Sequence, residues 1–370
     1  MKVGFHADQA WFSAPGGIGT YIAELAPALR DAGADVTLFR STWTDPAPAW
    51  MDGFSAVTVP GSIKTLYPTW DVVGRPALPQ DLSTCRVIHA TNHAAVPPVA
   101  DGQALVVTVH DLAFDRYPGA FPREWRLLYR AGVHAALRRA HALLVPSRST
   151  ANDLIERGAD PTRVHVTPLA PSLSVGSEDP AAAVARLGVP EPYLLFVGTL
   201  EPRKNLVRLI RAYRQIAPDG PHALVLAGVD GRQGAELDDE LARPGPGRVV
   251  RTGRVDAADL DALYRRAAAF AYPSLYEGFG LPVLDAMARG VAVVTSTTSS
   301  LPEVAGDCAI LVDPTDVAEI AEGLHRVLTD PAAAAGLIAR ALPHAAAYTW
   351  EATARATLEA YGAAIREASA

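Results

Sequence analysis

Short runs of aliphatic and β-branched residues alternate with alanine-rich amphipathic segments from one end of the chain to the other. KVGF, DVTLF, RVIHA, LVVTVH, HALLVP and RVHVTP predict strands in the first half. YLLFVG, HALVLAG, RVVRTG, AAAFAYP, VAVVTS and CAILVD predict a second set. GTYIAELAPALRDAG and PREWRLLYRAGVHAALRRA, among the intervening segments, predict helices. Strands apolar on both faces, alternating with helices, imply parallel sheets covered on both sides. The stretch PSLSVGSEDPAAAVARLGVPEP (171–192) interrupts the alternation with Pro, Gly and Ser and reads as a linker. The pattern therefore predicts two doubly wound α/β domains, 1–172 and 185–349. Their site is expected in a cleft between the carboxyl ends of the strands. The last helix, about 350–370, is placed to cross back to the first domain.

Composition narrows the function classes. At 370 residues with 49% hydrophobic and 20% charged positions, the chain has ample core for two domains. A net charge of −7 argues against nucleic acid as a partner. No run of 18 apolar residues occurs, and MKVGFHADQ leads straight into a strand. With only Cys85 and Cys308 there is no disulfide framework, so a cytoplasmic protein is expected. Lysine occurs three times, at Lys2, Lys64 and Lys204, against 30 arginines, a bias that fits a GC-rich bacterial genome. Seven arginines fall between Arg116 and Arg148, with Trp125 and Leu128 among them. They suggest a peripheral contact with the inner membrane face, or simply a solvated helix.

Four segments could carry chemistry. In YPSLYEGFGLPVLDAMARG (272–290), Gly278 and Gly280 free the backbone before a helix that starts at Pro282 and closes at Gly290. The helix start is an anion site by geometry and dipole, with Glu277 in the loop before it and Asp285 one turn inside. The plain alternative is a glycine turn, with Asp285 complementing the dipole. In FVGTLEPRKNLVRLIRAY (196–213), a strand ends at Gly198 and a helix begins near Arg203. Arg203 and Lys204 oppose that helix's dipole, which an anion at a cleft rim would explain. A solvated pair on a surface turn, or Glu201 as counter-ion, would also explain them. SAPGGIGTYIAELAPAL (13–29) is a further glycine loop opening a helix, without the third glycine of a dinucleotide fingerprint. VVTVHDLAF (106–114) places His110 and Asp111 at a strand exit, as site residues or as a satisfied structural pair. HATNH (89–93) has the spacing of two metal ligands but no third, so no metal site is expected. SSLPEV (299–304) contains a capping box, Ser300 with Glu303.

Together GGIGTY, TVHDL, PSRSTANDL, FVGTLEPRKNL, YPSLYEGFGLPVLDAMARGVAVVTS and LPEVAGDCAILVDP resemble the family 4 glycosyltransferases of the GT-B fold, over nearly the whole length. TLEPRKN and TVHDLAFDRYP are most similar to the mannosyl- and related hexosyltransferases. The resemblance implies two Rossmann-like domains. A GDP- or UDP-hexose would bind mainly to the second, and a carbohydrate, glycolipid or small glycoside acceptor to the first. It implies a hexosyltransferase that retains anomeric configuration, with no cofactor and no metal required at the diphosphate.

Residue by residue, the resemblance matches Arg203 and Lys204 to the diphosphate clamp and Glu277 to the donor-sugar contact. Gly198 and Thr199 are carried with the clamp. Asp285 stands where the family has a ribose-binding glutamate, one methylene longer. Gly17 matches the loop near the diphosphate, and His110 the histidine beside sugar and acceptor. Gly278, Phe279, Gly280 and Leu281 would meet phosphate, and Gly253 lies in the segment flanking the base. A GT-B epimerase or phosphorylase, or a nucleotide-sugar sensor without turnover, are the competing readings.

Overall fold

A computed structural model describes residues 1–12, 16–172, 176, 179–231 and 235–369. Residues 13–15 of the first glycine loop, and 173–175 and 177–178 of the expected linker, lie outside the described residues. The chain divides into two units. One comprises Met1–Arg116, Pro122–Leu169 and Thr349–Ala370; the other comprises Tyr117–Phe121 and Ala170–Tyr348.

The first unit carries β1 (Lys2–His6), β2 (Asp35–Arg40), β3 (Ser55–Thr58), β4 (Val87–Ala90), β5 (Ala104–Thr108), β6 (Ala142–Val145) and β7 (Val164–Val166). They form one parallel sheet in the order β3-β2-β1-β4-β5-β6-β7, with Val3 opposite Val36 on one side and Val87 on the other. The central strands are buried on both faces: Val87, Ile88, Leu105, Val106 and Val107 are all closed to solvent. Each such side chain contributes about 1.5–3 kcal/mol of burial. β3, which the pattern does not predict, is an edge strand with mostly exposed side chains. The terminal helix Trp350–Ala368 belongs to this unit. The Thr353 hydroxyl donates to Pro168 O (2.6 Å), and Tyr361 Oη meets His89 Nδ1 (2.7 Å) inside the core.

The second unit carries β8 (Tyr193–Val197), β9 (Ala223–Ala227), β10 (Val249–Gly253), β11 (Ala269–Tyr272), β12 (Val293–Ser296) and β13 (Ile310–Val312). These form a parallel sheet in the order β10-β9-β8-β11-β12-β13. The helix Leu206–Ile216 buries Leu206, Leu209, Ile210 and Tyr213, an i, i+3, i+4, i+7 stripe, and contacts the helix Val317–Thr329. Part of the expected linker is itself helical: Pro180–Arg186, capped by the Asp179 carboxylate on Ala182 N, packs on the helix Ala257–Arg266.

Both sheets reverse their strand order once, between β1 and β4 and between β8 and β11. Ligands of open α/β sheets collect at the carboxyl ends of the strands at such points. Three of the seven arginines of the basic stretch are engaged within the unit. Arg116 pairs with Asp153 and Glu156, Arg130 with Asp115, and Arg139 donates to three backbone carbonyls. Leu127 rather than Leu128 is the exposed apolar tip. Among the described residues, no helix is long and apolar enough to cross a membrane.

Candidate active site

At the switch point of the second sheet, two loops lock together. The loop after β8 runs through a 3-10 turn, Pro202–Lys204, and the α-helix begins only at Leu206. Asn205 between them has φ 63, a left-handed conformation that asparagine tolerates and that separates the turn from the helix. The loop after β11 lies against this turn. Leu275 N donates to Arg203 O (2.8 Å), Arg203 Nη1 to Tyr276 O (3.0 Å) and Asn205 Nδ2 to Pro273 O (2.9 Å). Gly228, after β9, comes so close to the first loop that a Cβ there would lie 2.0 Å from Gly198 O.

These loops bring together four charged side chains. Glu277 Oε2 accepts from Arg203 Nη1 (2.8 Å) and Oε1 from Lys204 Nζ (2.6 Å), while Glu201 pairs with Arg203 Nε (2.6 Å). Lys204 also donates to Tyr272 Oη (2.6 Å) and lies over that ring. Burial pushes the Glu277 carboxyl up, but the Arg203 and Lys204 charges more than reverse it, to about 2. Burial and neighbouring Arg203 pull the Lys204 ammonium below its ordinary range, against the hold of Glu277 and Glu201. Lys204 is thus not at a rim, as its position after the strand suggests. It is buried, with 6% of its surface exposed, because Glu277 and Tyr272 close over it. Glu201 is a counter-ion here, but it shares Arg203 with Glu277.

Of six successive hydroxyl residues, Thr295–Ser300, five buttress the end of β11 and the loop bearing Glu277, while Thr297 turns to Val312 O. Thr295 Oγ1 donates to Tyr272 O (2.9 Å), and Ser296 Oγ to Ser274 O. Thr298 Oγ1 reaches Leu275 O (3.1 Å), and Ser299 Oγ accepts from Glu277 N (3.0 Å). Ser300 Oγ donates to Glu277 O (2.9 Å) and Phe279 O (2.6 Å). The expected capping box is therefore not formed, because the Ser300 hydroxyl turns to the Glu277 loop instead of the helix Leu301–Ala305. Ser299 takes φ 54 to make its contact. Sequence reasoning missed this support, although a hydroxyl run after a buried strand was visible as a signal.

The helix that follows spans Leu281–Ala288, with Gly280 at its N-cap at φ 114 and Gly290 just beyond its end at φ 69. A Cβ on Gly280 would meet Leu301 Cδ2 at 2.7 Å, so glycine is needed there for space as well as for backbone. Gly278, Phe279 and Gly280 form the approach to this helix start. Asp285, inside the helix, accepts from Ser172 N (2.9 Å). Arg289, one turn on, donates to Ser172 O (3.0 Å) and pairs with Asp261 (2.7 Å). Asp285 thus grips the backbone at the start of its unit, a role that the eight-residue spacing from Glu277 does not reveal. Gly253, at the end of β10, accepts from Gly228 N (3.0 Å).

Gly17 and His110 lie in the first unit, at its own switch point. Gly17 is exposed in the first turn of the helix Gly16–Asp31, and Tyr21 one turn later sets its ring against His110 (4.9 Å, edge-on). His110 Nε2–H donates to Thr91 O at 2.9 Å, which leaves Nδ1 as the acceptor of a neutral ring. Burial holds the imidazole below its usual value of 6.5, although the bond to Thr91 and the charge of Asp111 pull the other way. His89, of the HATNH stretch, is bonded to Tyr361 and Thr108. Among the described residues, no cluster of three His, Cys, Asp or Glu could hold a metal ion.

Residues 15–170 match the family model Glycosyltransferase Family 4, and residues 181–342 match Glycosyl transferases group 1. The O-antigen chain mannosyltransferase B of Escherichia coli is 34% identical over 264 residues, covering 69% of this chain and 69% of its own. A D-inositol 3-phosphate glycosyltransferase of Salinispora arenicola is 31% identical over 403 residues, covering 95% of this chain and 88% of its own. Among solved structures, Anabaena HepE in complex with UDP and glucose superposes with a TM-score of 0.75 at 20% identity, covering 97% of this chain and 98% of that one. Two doubly wound parallel sheets, with a cation cluster at one switch point, define the GT-B class of fold. The chain belongs to glycosyltransferase family 4.

Proposed function

We propose that the protein moves a hexosyl group from a nucleotide-diphosphate sugar to an acceptor hydroxyl with retention of anomeric configuration. The observation that carries this reading is the Arg203–Lys204–Glu277 cluster at the switch point of the second sheet. Breaking the bond from the anomeric carbon to the diphosphate leaves negative charge on the departing oxygen. Arg203, Lys204 and the backbone N–H groups opening the helix at Leu281 stabilise that charge as it forms. Glu277, held near 2 by two cations, is a weak base and a poor nucleophile. Its role is to orient the sugar rather than attack it. A mannosyltransferase relative and a structural neighbour holding UDP support the substrate class. The test is incubation with UDP- and GDP-hexoses and simple glycosides, reading the product's anomeric configuration by NMR. An inverted product, or donor loss that no acceptor accelerates, would overturn the reading.

The same reading assigns charge neutralisation at the diphosphate to Arg203 and Lys204, with no metal needed. Turnover is expected to be unchanged by excess EDTA; abolition by EDTA with rescue by magnesium would refute it. His110, as the group beside sugar and acceptor, acts neutral. With its value held below 6.5, kcat/KM should stay flat from about pH 8 down through that point. His110→Asn should lower kcat by about 100-fold. An acid limb centred at or above 6.5 would show that the ring's value is not lowered, and a rise in kcat/KM on acidification would show that turnover does not require the neutral ring.

Asp285 binds ribose in this reading while also holding Ser172. Asp285→Ala should weaken nucleoside diphosphate binding by about 1.5–3 kcal/mol, with the effect largely gone for a ribose-deoxygenated analogue. Calorimetry on both proteins with both ligands closes the cycle. If the two changes simply add, the carboxylate serves Ser172 alone.

A further inference from the structure

Several arginines with limited exposure have acceptors within their own unit, although Arg126, like Arg40, has a buried guanidinium nitrogen without one among the described residues. Arg139 donates to the carbonyls of Trp70, Val96 and Pro97, Arg214 pairs with Glu240, and Arg289 with Asp261. Arg40, half-buried at the carboxyl end of β2, has none among the described residues. Its Nη1 is closed to solvent without a hydrogen-bond partner there, and no ion pair from the described residues reaches the guanidinium. It lies over the Trp11 ring, 4.5 Å from the centroid. The ring attracts the cation but supplies no acceptor in the guanidinium plane. A partly desolvated cation without an acceptor is costly, and an incoming anion would relieve that cost.

The surroundings are aromatic and fixed. Phe12 and Trp43, both half-buried, meet with centroids 5.6 Å apart. The Trp43 indole donates to Asp8 Oδ1 (2.8 Å), and the Trp11 indole to Asp45 O (3.3 Å). Asp8 is fully buried and also accepts from the Ser41 amide (2.7 Å), the Ser41 hydroxyl (2.8 Å), Tyr67 (3.1 Å) and His6 (3.0 Å). One carboxylate therefore fixes the end of β1, the loop after β2 and the helix Ile63–Val73 around the indole. The wall is preorganised; Trp11 is buried under the guanidinium, and the half-buried Phe12 and Trp43 are the rings that suit the C–H face of a sugar.

We infer that Arg40, with Trp11, Phe12 and Trp43, forms an acceptor subsite for a sugar or polyol that carries a phosphate or carboxylate. The anion meets the guanidinium, and the ring lies against the aromatic wall. The inference rests on reading the first unit as the acceptor-binding one.

All six tryptophans, at 11, 43, 50, 70, 125 and 350, belong to the first unit, so intrinsic fluorescence reports on it alone. The full chain is titrated with mannose 6-phosphate, glucuronate and mannose. Saturable quenching by the two anions is expected, with mannose at least about tenfold weaker. Which anion binds tighter distinguishes phosphate from carboxylate. In Arg40→Gln the anions should fall to the level of mannose, while calorimetric binding of UDP or GDP stays as in the parent. Equal affinities for charged and neutral sugars, or an anion preference unchanged in Arg40→Gln, would overturn the subsite. If Arg40→Gln does not fold, Arg40→Met, similar in length and apolar, decides: an anion preference equal to the parent's overturns the proposal, and its loss supports it. A parent that binds no nucleotide but shows the Arg40-dependent preference sinks the donor reading and leaves the anion site standing.

Discussion

Lys204→Ala is expected to cut kcat/KM by about 100- to 1000-fold, the loss of one preorganised donor at a developing anion. It should also destabilise the second unit by about 3 kcal/mol. That lies at the low end for breaking a buried pair, because Arg203 still holds Glu277. The two losses separate by chemistry. Lys204→Met keeps the aliphatic stem over Tyr272 and fills the space, so it should recover part of the stability and none of the turnover. Urea unfolding and steady-state kinetics on both variants make the comparison. Equal turnover in parent and Lys204→Met would remove the ammonium from the mechanism and leave it a structural counter-ion of Glu277.

Hydrophobic patterning was enough to locate nearly every strand, because buried parallel strands write themselves as continuous apolar runs. It missed β3, whose exposed residues Ser55–Thr58 lie at a sheet edge and have little reason to be apolar. The chemistry was legible where it is local: two cations in a turn, glycines before a helix, a histidine at a strand exit. What escaped is long-range. Lys204 meets Glu277 across 73 positions, and Asp285 meets Ser172 across 113. No local propensity reports either pairing, and so Lys204, expected at a cleft rim, proved buried. Ser300 shows the same failure in reverse. Its spacing to Glu303 satisfies a helix-cap pattern, but two carbonyls of the Glu277 loop compete for the hydroxyl, and they win. The hydroxyl run Thr295–Ser300 is intelligible only once β11 and β12 are known to be neighbours.

Glu277→Gln should separate affinity from turnover. In the parent, Glu277 holds both cations that the proposed function assigns to the diphosphate, so under that reading an incoming nucleotide must share them. The amide releases that hold, and free UDP or GDP should bind as tightly as to the parent or tighter. Turnover should fall by about 100-fold or more, because the proposed function gives Glu277 the orienting of the sugar, and its charge on the two cations is gone. Acid unfolding gives an independent reading. Two cations hold the folded carboxyl near 2, well below its ordinary 4.5. A depressed carboxyl adds stability that is complete above the unfolded value and is lost as pH falls from 4.5 through about 2. That difference corresponds to about 3 kcal/mol between the ordinary 4.5 and the folded value near 2. The parent's stability should therefore drop more steeply over that window than the variant's, and the two curves should converge at its acid end. Identical slopes would mean that the Arg203 and Lys204 pairs do not stabilise the ionised carboxylate. A variant that binds nucleotide more weakly yet turns over normally would show that Glu277 serves the diphosphate clamp, not the sugar.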